Sequence, residues 1–256
     1  MNNSILEIKN VSKEFKSKER VLEVLKAVNL TIQEGEFVSI LGYSGCGKST
    51  LLRVVAGFEE VDSGEVLLQG KKRTGPNPDI FMVFQDFNQL FIWKTLKENL
   101  MFTLKHSKQY LNRQEREEVV LDFLEKVGLR EFANQYPHQL SGGMKQRAAV
   151  ARGLILKPKV ILMDEPFGSL DAITRKKLQN VIKELFKLNK QTVLFVTHDI
   201  EEAVFLSDRI VIMDKEKKSI KNHFQINQNE LENNYTKKRE LYEQVLRDLN
   251  KDGEIL

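Results

Sequence analysis

The sequence predicts an α/β fold with a mainly parallel core sheet and an inserted all-helical block. Three observations carry this prediction. A short β-rich run, Phe37-Val38-Ser39-Ile40-Leu41, leads through a glycine-rich loop into Thr50-Leu51-Leu52-Arg53-Val54-Val55-Ala56, which has helical apolar spacing. From Val160 onward, apolar strands alternate with helices, the pattern of a parallel sheet covered on both faces. Between them, from Thr95 to about Leu156, strand signals all but vanish and helical periodicity takes over.

In chain order, Ile5–Ile8 and Ala27–Ile32 read as short strands around the charged segment Lys13–Arg20. Asp62-Ser63-Gly64 is a turn signal before the strand Val66-Leu67-Leu68, a hairpin region. Gly75-Pro76-Asn77-Pro78 is a loop, and Ile80–Phe84 is an apolar strand ending at Gln85. In the helical block, Thr95–His106 and Asn112–Val127 are helices. The second starts with an Asn cap and an acidic early turn, and Val119, Val120, Phe123, Leu124 and Val127 form its apolar stripe. A third helix begins near Ser141, whose hydroxyl can cap it. The α/β pattern then resumes with strand Val160–Met163, helix Ala172–Leu188, strand Thr192–Thr197, helix Ile200–Leu206 and strand Arg209–Met213. The Lys/Asn/Glu-rich tail from Lys215 reads as loosely packed, with a terminal amphipathic helix over Arg239–Leu249.

Composition sets outer bounds. The 256 residues are 41% hydrophobic, enough for a substantial core. No apolar run approaches the ~18 residues of a membrane-spanning helix. The start lacks a basic region followed by an apolar stretch, so no secretory signal is predicted. The single cysteine, Cys46, sits inside the glycine loop, which leaves no disulfide within the chain and points to a reducing compartment. The net charge of +4 is mild, and no basic block with interleaved aromatics marks a nucleic-acid groove.

The loop GYSGCGKST fits the pattern G-x-x-x-x-G-K-[ST], with Gly42, Gly47, Lys48 and Ser49 in the fixed places. Glycines let backbone N–H groups approach phosphate oxygens, and the following helix aims its N-terminus at the anion. Lys48 supplies a point charge near the outer phosphates, and the Ser49 hydroxyl a ligand for Mg²⁺. Asp164 and Glu165 follow the buried strand at its carboxyl end, where acids face the ligand crevice of a parallel sheet. Asp164 is placed to hold Mg²⁺, and Glu165 to polarise or deprotonate an attacking water. Leu140-Ser141-Gly142-Gly143-Met144 is a second anion-binding helix start. One nucleotide has one set of phosphates. Two cradles are explained most economically by two chains closing head-to-tail on shared nucleotides, with two equivalent composite sites.

GYSGCGKST, Gln85, LSGGMKQRAAVARGL, VILMDEPFGSLDA and VTHDIEEA, in this order, resemble the ATP-binding subunit of an ABC transporter over about Ile5 to Met213. The resemblance implies a P-loop NTPase ABC ATPase domain: a mainly parallel core sheet, an antiparallel β subdomain and an inserted α-helical subdomain. It implies an ATP-binding core over residues 1–87 and 157–225, a helical signature subdomain over 88–156, and a C-terminal helical tail over 226–256. ATP and Mg²⁺ are the implied cofactors. Tyr43, Ser44, Gly45, Cys46 and Thr50 complete the phosphate loop, and Phe15 takes the place of an aromatic that stacks on adenine. Gln85 reaches Mg²⁺ and the attacking water, His198 contacts the γ-phosphate, and Ser169-Leu170-Asp171 crosses the dimer interface. Ser141, Gly142 and Gly143 of the partner chain close over the nucleotide; Met144 replaces the Gln common there, without loss of the contacts assigned to Ser141 and Gly143.

The implied partners are integral membrane permease subunits docking near Gln85 and Asn88–Leu96, where Phe87, Leu90, Phe91, Ile92 and Trp93 give an apolar surface. A second copy of the chain in an ATP-dependent head-to-tail homodimer and an extracytoplasmic solute-binding protein complete the system, and the implied place of this chain is peripheral, on the cytoplasmic face of the cell membrane. PNPDIFMVFQ, LFIWKTLKENL, YPHQLSGGMKQRAAVARGL and DEPFGSLDAITRKKLQ are similar to the nitrate/sulfonate/taurine importer group, with relatives that import bicarbonate and thiamine precursors. The chain departs from that group after Met213, where Asp214-Lys215-Glu216-Lys217 replaces an Arg-Pro-Gly segment. The rival readings are an exporter ATPase, more often fused to membrane spans; a non-transport ABC ATPase, usually marked by a coiled-coil insert or tandem cassettes; and a small-molecule kinase, which shares the phosphate loop but has no use for LSGGM or Ser169-Leu170-Asp171.

Overall fold

The computed structural model describes residues 4–17, 20–86, 89–105, 112–168, 170–231 and 234–250, without the side chains of 188 and 189. Its central element is a six-stranded sheet. The strands are β3 (Phe37–Leu41), β6 (Ile80–Val83), β7 (Val160–Asp164), β8 (Thr192–Val196), β9 (Arg209–Met213) and β10 (Ile220–Gln225), in the order β10-β9-β3-β8-β7-β6. All neighbours are parallel except β10, which runs antiparallel along the β9 edge. Every residue of β3, β7 and β8 is buried, which is why these strands read as unbroken apolar runs rather than alternations.

The sheet separates two cores. Ile161, Met163, Val193 and Phe195 pack toward the helical block, while Val160, Leu162, Leu194 and Val196 pack toward the phosphate-loop helix and a second sheet. A one-residue slip of any central strand would exchange the two sets. The second sheet is antiparallel and four-stranded, in the order β2-β1-β4-β5, from β1 (Ser4–Lys16), β2 (Val21–Gln33), β4 (Ser63–Leu68) and β5 (Lys71–Lys72). Its strands are longer than the short runs predicted around Lys13–Arg20. Pairing continues through Phe15↔Leu22 and Lys16↔Val21, where Phe15, Val21 and Leu22 are exposed, so backbone pairing rather than burial carries the strands outward. The hairpin region is confirmed as β4–β5, turning on Gln69 and Gly70, both left-handed. The turn signal at Gly64 lies inside β4 instead: φ is 81°, and a Cβ there would sit 2.3 Å from the Asn10 carbonyl oxygen.

The helical block contains α2 (Leu96–Leu104), α3 (Arg113–Lys126) and α4 (Gly142–Ile155), after α1 (Lys48–Ala56), which follows β3. Each start in the block is capped: Thr95 with Glu98 and Asn112 with Glu115 form reciprocal capping boxes, and the Ser141 hydroxyl accepts from the Met144 N–H. The first helix ends at Leu104; His106 lies outside the described residues. Leu100, Leu104, Val120, Leu124, Ala148 and Val150 are fully buried where these helices meet.

The C-terminal tail is not loosely packed. After α5 (Ala172–Asn189) and α6 (Ile200–Leu206) the chain forms β10, α7 (Gln228–Leu231) and α8 (Tyr235–Asn250), one turn longer at its start than predicted. Val245 of α8 is fully buried among Leu41, Ile200, Val204, Ile210 and Ile212. Burial of one such side chain contributes about 1.5–3 kcal/mol, and it fixes α8 against α6 and the β3–β9 face of the sheet. Among the described residues, no helix is long and apolar enough to cross a membrane.

Candidate functional site

The carboxyl ends of β3, β6, β7 and β8 open on one side of the sheet, the side on which α/β sheets bind ligands. β3 leads into the loop Gly42–Gly47, which curls back on itself. The buried Lys48 ammonium donates to the Gly42 carbonyl at 2.6 Å and the Tyr43 carbonyl at 3.0 Å, holding the curl from inside. Gly47 has φ 106°, and a Cβ there would lie 2.5 Å from the Val24 carbonyl oxygen, so only glycine fits. Gly42 is closed in as tightly, with Cys46 Sγ and the Met213 carbonyl within 3 Å of a Cβ placed there. Burial raises the Cys46 thiol pKa, so Cys46 stays protonated and packs as a small apolar residue.

Across the crevice, the Ser49 hydroxyl donates to Asp164 Oδ1 at 3.0 Å. Asp164 ends β7 and is buried; burial pushes its carboxyl above the ordinary range, the Ser49 hydrogen bond opposing and the Glu165 charge adding to the shift. Glu165 follows in a left-handed conformation, φ 44°, which costs a non-glycine residue about 1 kcal/mol or more. The Glu165 N–H to Val196 carbonyl bond (3.0 Å) and the Gly168 N–H to Glu165 carbonyl bond (3.2 Å) hold it there. The strain turns its carboxylate toward two groups from neighbouring strand ends. Gln85 Nε2 donates to Glu165 Oε2 at 3.2 Å, and His198 Nδ1 faces the same oxygen at 3.3 Å.

A pocket of about 650 Å³ joins these parts: Phe15, Leu22 and Val24 at one end, Gln85, Glu165 and His198 at the other, and Ser44, Gly45, Gly47, Lys48, Ser49 and Thr50 between. Phe15 is 41% exposed, an available ring at the pocket mouth, with the Lys13 ammonium 5.4 Å from its centroid. Leu22 and Val24 escaped sequence reasoning. Their signal was positional: Leu22 pairs directly with Phe15 across the hairpin. Asp164 lines an adjoining cavity with Ser49, Gln85 and Arg53. Gly42 and Cys46 are buried behind the loop, and Tyr43 turns away, its hydroxyl donating to Asn250 Oδ1 at 3.0 Å.

Four further predicted residues stand on other elements, away from this pocket. Ser141, Gly142 and Gly143 start α4, and Gly143 abuts Leu170, with 2.9 Å between a Cβ and Leu170 Cδ2. Asp171 caps α5, accepting from the Ile173 and Thr174 N–H groups at 3.1 and 3.0 Å. Ser169 lies outside the described residues. The apolar surface also divides. Leu90 is core, whereas Ile92 and Trp93 are 64% and 68% exposed; Phe87 and Asn88 lie outside the described residues. The fully buried Asn99, which sequence reasoning missed, fixes this loop: its amide accepts from the Phe91 N–H at 2.8 Å and donates to the Phe91 and Lys94 carbonyls at 3.1 Å.

Among the described residues, no group of three or more His, Cys, Asp or Glu side chains forms a self-contained metal cage. The hydroxyl of Ser49, the amide of Gln85 and the carboxylate of Asp164 are hard oxygen donors on one wall. Such a partial set fits Mg²⁺, which completes its shell with water and phosphate oxygens.

Residues 25–168 match the family described as ABC transporter. The nitrate import ATP-binding protein NrtD of Synechococcus elongatus is 44% identical over 83% of this chain and 77% of its own length. The bicarbonate transport ATP-binding protein CmpD of the same organism is 46% identical over 80% of this chain and 74% of its own. Among solved structures, a dimeric ATP-binding cassette in a post-hydrolysis state with ADP and Pi superposes with a TM-score of 0.78 at 36% identity, covering 87% of this chain and 99% of that one. The cbiO1 subunit from Clostridium perfringens, part of the cbiONQ transporter complex, gives 0.75 at 26% identity, over 97% of this chain and 95% of its own.

Proposed function

The chain belongs to the ABC transporter family, and on that footing we propose that it is the ATP-hydrolysing subunit of an importer, energising solute uptake through a separate membrane permease. The observation that carries the reading is the Glu165 carboxylate, held by Gln85 and faced by His198, at the end of a pocket whose floor is the phosphate loop. The solute is small, of the nitrate or bicarbonate kind named for the relatives, or a sulfonate, taurine or thiamine precursor as the sequence motifs imply. The proposed location is peripheral, on the cytoplasmic face of the cell membrane beside the permease.

The proposed division of labour follows the geometry. Phe15 stacks on the adenine, with Leu22 and Val24 beside it. The loop N–H groups and Lys48 take the phosphates, Lys48 exchanging its loop carbonyls for phosphate oxygens. Ser49, Gln85 and Asp164 hold Mg²⁺, which when bound neutralises charge on the transferring phosphoryl group. Glu165 accepts the proton of the attacking water, with Gln85 and His198 orienting water and γ-phosphate. Ser141, Gly142, Gly143 and Asp171 act on the partner chain's nucleotide. Their absence from this chain's own pocket, and the dimeric neighbour with ADP and Pi, support that assignment. Residues 1–87 and 157–225 then act as the ATP-binding core, 88–156 as the moving helical subdomain and 226–256 as the tail. The rigid loop with Ile92 and Trp93 at its tip is the permease contact, beside Gln85.

The test is capture from native membranes. Tagged Glu165→Gln subunit, trapped with MgATP in detergent extract, is expected to bring down a multi-span permease, with or without a solute-binding protein. Recovery of soluble proteins or nucleic acid alone overturns the importer reading.

A further inference from the structure

The segment after β9 and the end of α8 both touch the phosphate loop from outside the pocket. The turn from Asp214 to Ser219 is tightly made. The buried Asp214 carboxylate accepts the Glu216 and Lys217 N–H groups at 2.8 and 2.7 Å, and its backbone carbonyl accepts the Lys218 N–H at 3.2 Å. Lys218 is left-handed, φ 54°, and its carbonyl accepts the Lys26 N–H at 2.9 Å. With its backbone fixed at both ends, Lys218 sends its ammonium to the Gly45 carbonyl at 3.1 Å. Gly45 is the loop's exposed tip, with φ 78°, and a Cβ there would meet nothing within 4 Å. On the loop's other flank, the Tyr43 hydroxyl donates to Asn250 Oδ1 at 3.0 Å. The end of α8 is tied to β10 by Lys221 Nζ, which donates to the Asp248 carbonyl at 2.7 Å, and by Asn222 on the Asp248 carboxylate.

We propose that Lys218 and Asn250 are positioning residues for the phosphate loop, and that this C-terminal clasp sets the chain's affinity for nucleoside di- and triphosphates. A cation on the Gly45 carbonyl pins the tip of the loop, where the N–H of the same peptide, that of Cys46, donates to the Tyr43 carbonyl at 3.3 Å, so the loop's curl is set before an anion arrives. Preorganisation of this kind lowers the ordering cost of binding. The ammonium also adds positive potential at the pocket rim. Lys218 does not line the pocket, so it acts through the loop and not on the reacting atoms. Affinity and turnover should therefore separate.

The proposal rests on ATP hydrolysis at this pocket; the unmodified full chain's rate tests that reading separately. Lys218→Ala should raise the KM for ATP and the Kd for a fluorescent ADP analogue by about three- to tenfold, with kcat within about twofold. Lys218→Arg, which keeps a cationic donor, should restore both. Asn250→Ala should weaken binding by about two- to threefold in the same pattern. If Lys218→Ala does not fold, Lys218→Met, which keeps the aliphatic stem, serves in its place. Unchanged KM and Kd overturn the proposal. So does equal weakening by Ala and Arg, and so does a fall in kcat at constant KM.

Discussion

His198 Nδ1 lies 3.3 Å from Glu165 Oε2, the oxygen that also accepts the Gln85 amide at 3.2 Å. Three strand ends thus converge on one carboxylate oxygen, beside a loop built to hold phosphates. A carboxylate so placed has a neutral, nearly isosteric replacement. Glu165→Gln keeps the hydrogen-bonding shape and removes both the proton acceptor and a negative charge facing the nucleotide. ATP binding should stay within about threefold, while hydrolysis falls about 100-fold or more. Size-exclusion chromatography with MgATP should show a stable dimer. A variant that stayed monomeric at saturating ATP would sink the two-chain site.

Glu202 offers a test by pH. Its carboxylate is buried on α6, accepting the Thr197 hydroxyl at 2.6 Å and the Gln179 amide at 3.4 Å. Burial pushes its pKa up; Asp199 adds to that, while the Thr197 bond and the Arg175 and His198 charges oppose it. The folded state therefore holds this proton more tightly than the unfolded chain. Stability from this group is fully present below about pH 4 and is lost as pH rises through its raised folded value. Glu202→Gln removes the titration. The melting temperature of the variant minus that of the unmodified chain should therefore increase as pH rises from about 4 through the raised folded value. A flat difference would show that Glu202 titrates alike in both states.

The parts of this fold legible in the sequence were those where burial and hydrogen bonding agree. β7 and β8 are buried on both faces, and α6 is bounded by an Asp cap and a closing serine. The illegible parts are held by other forces. The outer half of the β1–β2 hairpin pairs the charged Lys13–Lys16 with Val21–Leu25, whose Val21 and Leu22 are exposed, so backbone pairing rather than burial defines it. β10, IKNHFQ, is an edge strand whose partly exposed side chains carry no period-two signal. At the site, loop and acids declared themselves because glycine spacing and a carboxylate after an apolar run each have a chemical reason. Leu22, Val24, Asn99 and Lys218 did not, because no spacing rule marks them: Leu22 faces Phe15 across a hairpin, Asn99 binds the backbone of the loop just before its own helix, and Lys218 reaches Gly45 from the far end of the chain.

Asn99 tests the rigidity of the exposed loop. It is fully buried, and its amide satisfies the Phe91 N–H and the Phe91 and Lys94 carbonyls. Asn99→Leu preserves the approximate volume and leaves those groups unpaired in a dry setting. The expected loss is about 2–4 kcal/mol, read from the urea midpoint at unchanged slope. A loss below about 0.5 kcal/mol would mean that water reaches the loop backbone freely. The same variant should recover less permease in the membrane capture, since Ile92 and Trp93 would no longer be held in one orientation.

Ser141 and Lys48 decide whether one nucleotide site is made by two chains. Ser141 starts α4 and Lys48 starts α1, and only Lys48 lines the pocket. Lys48→Ala removes the loop's point charge, and Ser141→Arg blocks the second cradle; each variant alone should be inactive. In a mixed dimer, one composite site carries both lesions and the other carries neither. Random mixing makes half the dimers mixed, each with one whole site of two. Restored ATPase activity should thus reach about a quarter of the unmodified rate if the sites turn over independently. Activity that stays at zero across all mixing ratios, with mixed dimers demonstrated by differential tagging, would mean that both residues serve the same chain's nucleotide or that one site cannot fire alone. A cross-link between Cys residues placed at Ser44 of one chain and Ser141 of its partner, in a Cys46→Ser background, separates those cases: an ATP-dependent bond between chains keeps the composite site, and a bond within one chain ends it.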